Sequence, residues 1–126
     1  MDKKRILVVE DDEDIRKLVS ALLKKKSYEV VCACDGEHAM QEIHKAPDLV
    51  ILDLQLPDIS GEEICKFMRE SDDEKMQNIP IIMLTGKVKI SDRIVGRVIG
   101  ANIYITKPFN IPELIQGIEK TLGIAA

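Results

Sequence analysis

No long apolar run occurs in this chain: stretches such as Leu49 to Leu52 span only a few residues, far short of the roughly 20 that cross a bilayer. The N-terminus carries Asp2, Lys3, Lys4 and Arg5 and lacks the apolar core of a signal peptide, so a cytoplasmic location without membrane partners is expected. Basic excess is also missing. With 22 acidic against 18 basic side chains and a net charge of -4, the chain offers nucleic acid or an anionic membrane no long-range attraction, and direct nucleic-acid binding is not expected. Neither Gly-x₄-Gly-Lys-Ser/Thr nor Gly-x-Gly-x-x-Gly occurs, which argues against a nucleotide-binding module. The 3 cysteines are an odd set without a secretion signal and read as free thiols. The spacing Cys32-x-Cys34-x₃-His38-x₅-His44 invites comparison with a metal site. However, the histidines fall on different faces of a helix and no finger-type continuation follows, so the cysteines read as core strand residues beside surface histidines.

What is present is an ordinary globular balance, 45% hydrophobic and 32% charged over 126 residues, expected to form one domain over 1–126. Short apolar, β-branched runs recur at Ile6–Val9, Val30–Cys34, Leu49–Leu52, Ile81–Leu84 and Ile103–Ile105. Several are apolar at consecutive positions, as in parallel strands covered on both faces. Between them Ile15, Leu18, Val19, Leu22 and Leu23 mark a first helix, and Ile111, Leu114, Ile115, Ile118 and Leu122 a last one. Ser60-x-x-Glu63 and Asn110-x-x-Glu113 read as helix starts, with Pro112 in a first turn. The polar stretch Ser71–Gln77 reads as a solvated loop. Alternating strands and helices predict an α/β fold, a doubly wound five-stranded parallel sheet with right-handed crossovers.

Ligands of open α/β sheets bind beyond the carboxyl ends of the strands. Here those ends are Glu10-Asp11-Asp12, Asp53, Thr85 and Thr106-Lys107. Asp12 reads as a helix cap. Glu10, Asp11 and Asp53 together would repel one another unless a cation lay between them, and an all-oxygen carboxylate set suits Mg²⁺. Mg²⁺ beside a carboxylate, a hydroxyl and a lysine is an arrangement for phosphoryl transfer, with Asp53 as the acceptor and Thr85 and Lys107 contacting the phosphoryl oxygens. Pro108 directly after Lys107 suggests a cis bond holding the lysine in place.

Four segments, Ile6–Asp12, Leu52–Gly61, Leu84–Gly86 and Gly100–Phe109, occur in the order and spacing of the receiver domain of two-component response regulators, which the sequence resembles over essentially its whole length. The resemblance implies a flavodoxin-like (βα)₅ fold with strand order 2-1-3-4-5. It also implies Asp53 as phosphoacceptor, Asp11 and Asp53 as direct Mg²⁺ ligands, Glu10 acting through water, and Gln55 giving its main-chain carbonyl. Thr85 and Tyr104 take the positions of the family's switch pair. A histidine kinase or phosphotransfer protein is the implied donor. The face of the fourth helix, fifth strand and fifth helix would then report to a downstream effector or output domain.

Asn102 and Ile103 stand where many dimerising receivers carry two acids, and Gly117 reads as the place of a basic residue in the last helix, so a phosphorylation-linked homodimer is left open. Ile90, Ile94, Val95, Val98 and Ile99 would make the fourth helix apolar around more than one stripe, either as a docking patch or as core. Gly86 would leave phosphoryl access unobstructed. A metabolic phosphatase with an aspartyl nucleophile is disfavoured, because Asp53-Leu54-Gln55 lacks a second acid and ends the third strand. A receiver acting by protein contact alone remains the other alternative.

Overall fold

The computed structural model describes residues 3–85 and 100–123, with Thr85 described by its backbone. The elements are β1 (Arg5–Val9), α1 (Glu13–Lys25), β2 (Glu29–Ala33), α2 (Gly36–Ile43), β3 (Leu49–Asp53), α3 (Gly61–Arg69), α4 (Glu74–Gln77), β4 (Ile81–Thr85), β5 (Ile103–Thr106) and α5 (Ile111–Leu122). All strand pairs are parallel, in the order β2-β1-β3-β4-β5, as expected.

The consecutive apolar residues of the strands have a direct cause: each strand faces a core on both sides. Leu7, Val9, Val50, Leu52, Ile81 and Met83 meet Ala39 and Ile43 of α2 and Ile64, Cys65 and Met68 of α3. Their neighbours Ile6, Val8, Leu49, Ile51, Ile82, Leu84 and Ile105 meet Val19 and Leu23 of α1 and Leu114, Ile115 and Ile118 of α5. Side chains alternate across a strand, so one run of four supplies both cores.

Helix starts follow the local sequence. Asp12 caps α1, accepting from Ile15 N at 3.1 Å. Ser60 caps α3 through Glu63 N at 3.1 Å, and Asn110 caps α5 through Glu113 N at 2.7 Å.

Three expectations are corrected. Residues 74–77 are not loop but the one-turn α4, which Asp73 caps and the buried Met76 fastens to the core. Cys34 is not a core strand residue, because β2 ends at Ala33 where Asp35 begins to cap α2; Cys34 is exposed, and Cys32 on the edge strand is half-buried. Gly117 does not sit where a basic side chain would reach solvent. A Cβ there would lie 3.5 Å from Ile105 Cδ1 and 3.6 Å from Ile103 Cδ1, facing the sheet at ordinary contact distance. Gly117→Ala should therefore raise stability by about 0.5–1 kcal/mol, by removing the entropic cost of glycine in a helix without overpacking. Urea unfolding midpoints would check this. Gly86 and the expected fourth helix, with Ile90, Ile94, Val95, Val98 and Ile99, lie outside the described residues.

Candidate functional site at the carboxyl edge of the sheet

Glu10 follows β1 with its amide bonded to Ala33 O of β2 at 3.0 Å, and the residue is 1% exposed. Asp53 closes β3 and is 5% exposed, whereas Asp11 is open to solvent. Carboxylate oxygens of the three lie within 4.8 Å of one another, and among the described residues they are the only group of three or more His, Cys, Asp or Glu side chains so gathered. The Cys32, Cys34, His38 and His44 set does not converge in this way. Lys107, directly after β5 and joined to Pro108 by a cis peptide, donates to Glu10 Oε1 and reaches Asp53 Oδ2 at 3.4 Å.

These residues line a cleft of about 580 Å³, together with Asp12, Ile15, Gln55, Leu56 and Pro57. Gln55 N donates to Asp53 Oδ1 at 3.1 Å, so the loop after β3 starts by orienting the carboxylate that ends the strand. Arg16 Nη1 donates to Glu10 O at 2.9 Å and secures the β1 end from α1.

Burial, followed by hydrogen bonding to Asp53, raises the pKa of Glu10, and the Lys107 ammonium pulls the other way without prevailing. Burial works against the charge on Lys107, yet the Glu10 and Asp53 carboxylates outweigh it and raise its pKa. One ammonium beside three clustered acids leaves the cleft short of positive charge. Oxygen donors at this spacing, one of them open to water, can hold a small divalent cation such as Mg²⁺.

The loop from β3 to α3 has a narrow neck. Gly61 N bonds Leu54 O at 2.9 Å, and a Cβ on Gly61 would collide with the Asp53 carbonyl oxygen and lie 2.9 Å from Leu54 Cα. Only glycine permits that approach.

Thr85 ends β4 in register with Thr106, which brings its backbone to the same edge; the direction of its hydroxyl lies outside the described residues. Tyr104 pairs with Met83 and packs, half-buried, against the core under α2 and α3, its hydroxyl oxygen out of solvent. The structure thus brings Glu10, Asp11, Asp53, Gln55 and Lys107 together, and places Tyr104 one strand position before Ile105 rather than in the cleft.

Two residues were given no role from the sequence. Asp58 accepts from Gly36 N at 2.7 Å and from Glu37 N at 2.9 Å, across to α2. Arg69 donates to the carbonyls of Gly100, Gln77 and Ile79 and to Asn102 Oδ1, at 2.8–3.1 Å.

The family model described as response regulator receiver domain matches residues 6–119. An uncharacterized transcriptional regulatory protein of Bacillus subtilis (strain 168), YrkP, is 46% identical over 110 residues; the match covers 87% of this chain and 46% of that protein, so the chain spans about half its length. The chemotaxis protein CheY4 of Vibrio cholerae superposes with a TM-score of 0.88 at 31% identity, covering 95% of this chain and 99% of that one. The receiver domain of the sensor histidine kinase PA1611 of Pseudomonas aeruginosa PAO1, solved with a magnesium ion coordinated in its active-site cleft, superposes with a TM-score of 0.87 at 28% identity, covering 97% and 99%.

Proposed function

Because this chain belongs to the response-regulator receiver-domain family, whose members work in two-component phosphorelay signalling, we propose that it is a phosphorylation switch that takes a phosphoryl group on Asp53. The observation that carries this reading is the convergence of Lys107 on Glu10 and Asp53 at the carboxyl edge, beside the exposed Asp11. Asp11, Asp53 and the Gln55 carbonyl would hold Mg²⁺, with Glu10 acting through water. When bound, the ion supplies neutralisation of the charge on the transferring phosphoryl oxygens.

Asp53 attacks the phosphorus of a phosphohistidine, the P–N bond breaks, and the imidazole leaves with the electron pair; later hydrolysis returns Asp53 and inorganic phosphate. Rigid placement at the end of a fully buried strand makes this carboxylate a defined acceptor. Lys107 releases the carboxylate and pairs with a phosphoryl oxygen, and Thr85 donates its hydroxyl to another. The product adds nearly two negative charges and three acceptor oxygens, a local change that biases a two-state element. Thr85 and Tyr104 form that element, read on the face that includes β5 and α5.

The chemistry acts on the chain itself, so the protein is a signalling domain over 1–126 rather than an enzyme with a separate product. Its donor is a histidine kinase or phosphotransfer protein in the cytoplasm, and its reader is an effector or an output domain of a longer chain. YrkP is a transcriptional regulatory protein of about twice this length, which favours the second arrangement. Asn102 and Ile103 remove the acids of the charged dimer ladder, so we do not include that dimer.

Intact mass after incubation with acetyl phosphate tests the reading. One phosphoryl group should be gained with Mg²⁺, and none by Asp53→Asn or in excess chelator. No gain by the wild type, where another receiver is labelled and a histidine kinase also fails to transfer, would favour a receiver that works by contact alone.

A further inference from the structure

We propose that Asp58 is a positioning residue that ties the loop carrying the Gln55 carbonyl to the start of α2, so that metal binding at Asp53 and order at the first turn of α2 are coupled. The inference rests on the reading of Asp11, Asp53 and Gln55 as a Mg²⁺ site.

The loop between β3 and α3 is fastened at two places. At its neck Gly61 N bonds Leu54 O at 2.9 Å. At its tip Asp58 Oδ1 accepts from Gly36 N at 2.7 Å and from Ile59 N at 2.9 Å, and Oδ2 accepts from Glu37 N at 2.9 Å. A helix start needs one capping side chain, and α2 already has its own in Asp35, which accepts from His38 N at 2.8 Å. The second carboxylate comes from 22 residues downstream, and it satisfies the two amides that Asp35 leaves over. These amides, with Gly36 first, hold the Asp58 carboxyl below its usual range.

The approach is close enough to require glycine on the α2 side: a Cβ on Gly36 would lie 2.8 Å from Ile59 Cβ. Between neck and tip lie Gln55, Leu56 and Pro57, which line the cleft, with Gln55 N on Asp53 Oδ1. With the tip released, the segment that carries the Gln55 carbonyl keeps the Gln55 N bond to Asp53 and the Gly61 N bond at the neck, and Leu56 and Pro57 lose their anchor on the far side. Coupling between two sites is reciprocal, so an ion that orders the loop must also protect the α2 amides.

The test is a Mg²⁺ titration by calorimetry of the wild type, Asp58→Ala, Asp58→Asn and Gly36→Ala, with amide exchange at Gly36 and Glu37 (residue 36 being Ala in the last variant) measured with and without the ion. In the wild type Mg²⁺ should slow exchange at both positions. Asp58→Ala should bind Mg²⁺ about 10-fold more weakly, with α2 amides that no longer respond, as for lost outer-shell support of a metal ligand. Asp58→Asn keeps only one of the two accepting oxygens and sets an NH₂ against the amide that the other one served, so it should fall between wild type and Asp58→Ala. Gly36→Ala pushes the loop away with Asp58 intact and should reproduce the weak binding, even if Asp58→Ala fails to fold. Equal affinity in Asp58→Ala with responsive amides would overturn the tether alone. Wild-type affinity in Gly36→Ala beside weak binding in Asp58→Ala would overturn it in favour of simple charge. A wild type that takes up no Mg²⁺ would overturn the site reading and this inference with it.

Discussion

Lys107→Ala should take up a phosphoryl group about 10²- to 10³-fold more slowly, the usual loss when one preorganised donor to developing charge is removed, yet bind Mg²⁺ more tightly. The two effects have opposite signs for one reason. The ammonium sits against Glu10 and Asp53, where on the proposed reading it would compete with any other cation before reaction and support the transferring group during it. Stability should follow the same logic. Removing the cation leaves Glu10, 1% exposed, beside Asp53 without its counter-charge, and breaking a buried pair costs about 3–5 kcal/mol.

Metal-free Lys107→Ala should therefore unfold earlier than wild type in chelator and recover much of the difference in Mg²⁺. The pH dependence has a definite sign. Glu10 holds its proton to higher pH when folded than when unfolded, so the folded state binds more protons above the usual 4.5 and stability falls as pH rises through that window. The raised pKa of Lys107 contributes stability that is complete below the usual 10.5 and lost as pH rises through the folded value. Without Lys107 the Glu10 fall should deepen, since the group that lowers its pKa is gone. Unchanged phosphoryl uptake by the variant would remove Lys107 from the phosphoryl contacts.

Arg69→Ala should lower stability by about 2–4 kcal/mol, because charged hydrogen bonds to three carbonyls and to Asn102 are lost at once, two of those carbonyls being partly buried. For a chain of this size that is a fall of about 10 °C in Tm. Arg69 gathers the end of α3, the turn after α4 and the approach to β5: its Nη1 meets Gln77 O at 2.9 Å and Ile79 O at 2.8 Å, and its Nε meets Gly100 O at 2.8 Å. Asn102 completes the knot, with Oδ1 accepting from Arg69 at 3.1 Å and from Ile81 N at 2.8 Å. Gly100, at φ 100°, lets the chain pass, since a Cβ there would lie 2.7 Å from Arg69 Cγ. Arg69→Lys should recover only part of the loss, because one ammonium cannot spread over the same fork of acceptors. All these contacts lie at the amino edge of the sheet, so Mg²⁺ affinity should be nearly unchanged in both variants. Calorimetric unfolding alongside a Mg²⁺ titration would separate the two properties.

What was legible in the sequence was what short-range chemistry determines. Strand bodies showed as consecutive apolar residues, and helix starts showed as Asp12, Ser60 and Asn110, because a cap and its amides lie within three residues. The site showed because parallel strands carry their terminal residues to one edge, so Glu10, Asp11, Asp53 and Lys107 could be placed together without a structure. Arg69 stayed hidden, and Asp58 was given no role although it lies in the Leu52–Gly61 segment, because their partners lie 31 and 22 residues away. The α4 turn was missed because Met76 is a single apolar residue in a polar stretch, too little to give a period. Cys34 was assigned to the core because an apolar run does not reveal where a cap will end it. Gly117 was misread because the same stretch of sequence does not show which side of a helix faces the sheet.

The alternation of the strands divides the interior into two compartments, with one layer of backbone as the wall between them. Ile51 belongs to the compartment under α1 and α5, Leu52 to the one under α2 and α3, and Asp53 is the next residue, where the wall ends. Side chains on opposite sides of that wall do not touch, so a volume change in one compartment reaches the other only by moving a strand. Asp53 ends one such strand and Lys107 directly follows another, with β4 between them, and a bond made or broken at this edge pulls on the wall itself, the one component that both halves of the molecule share.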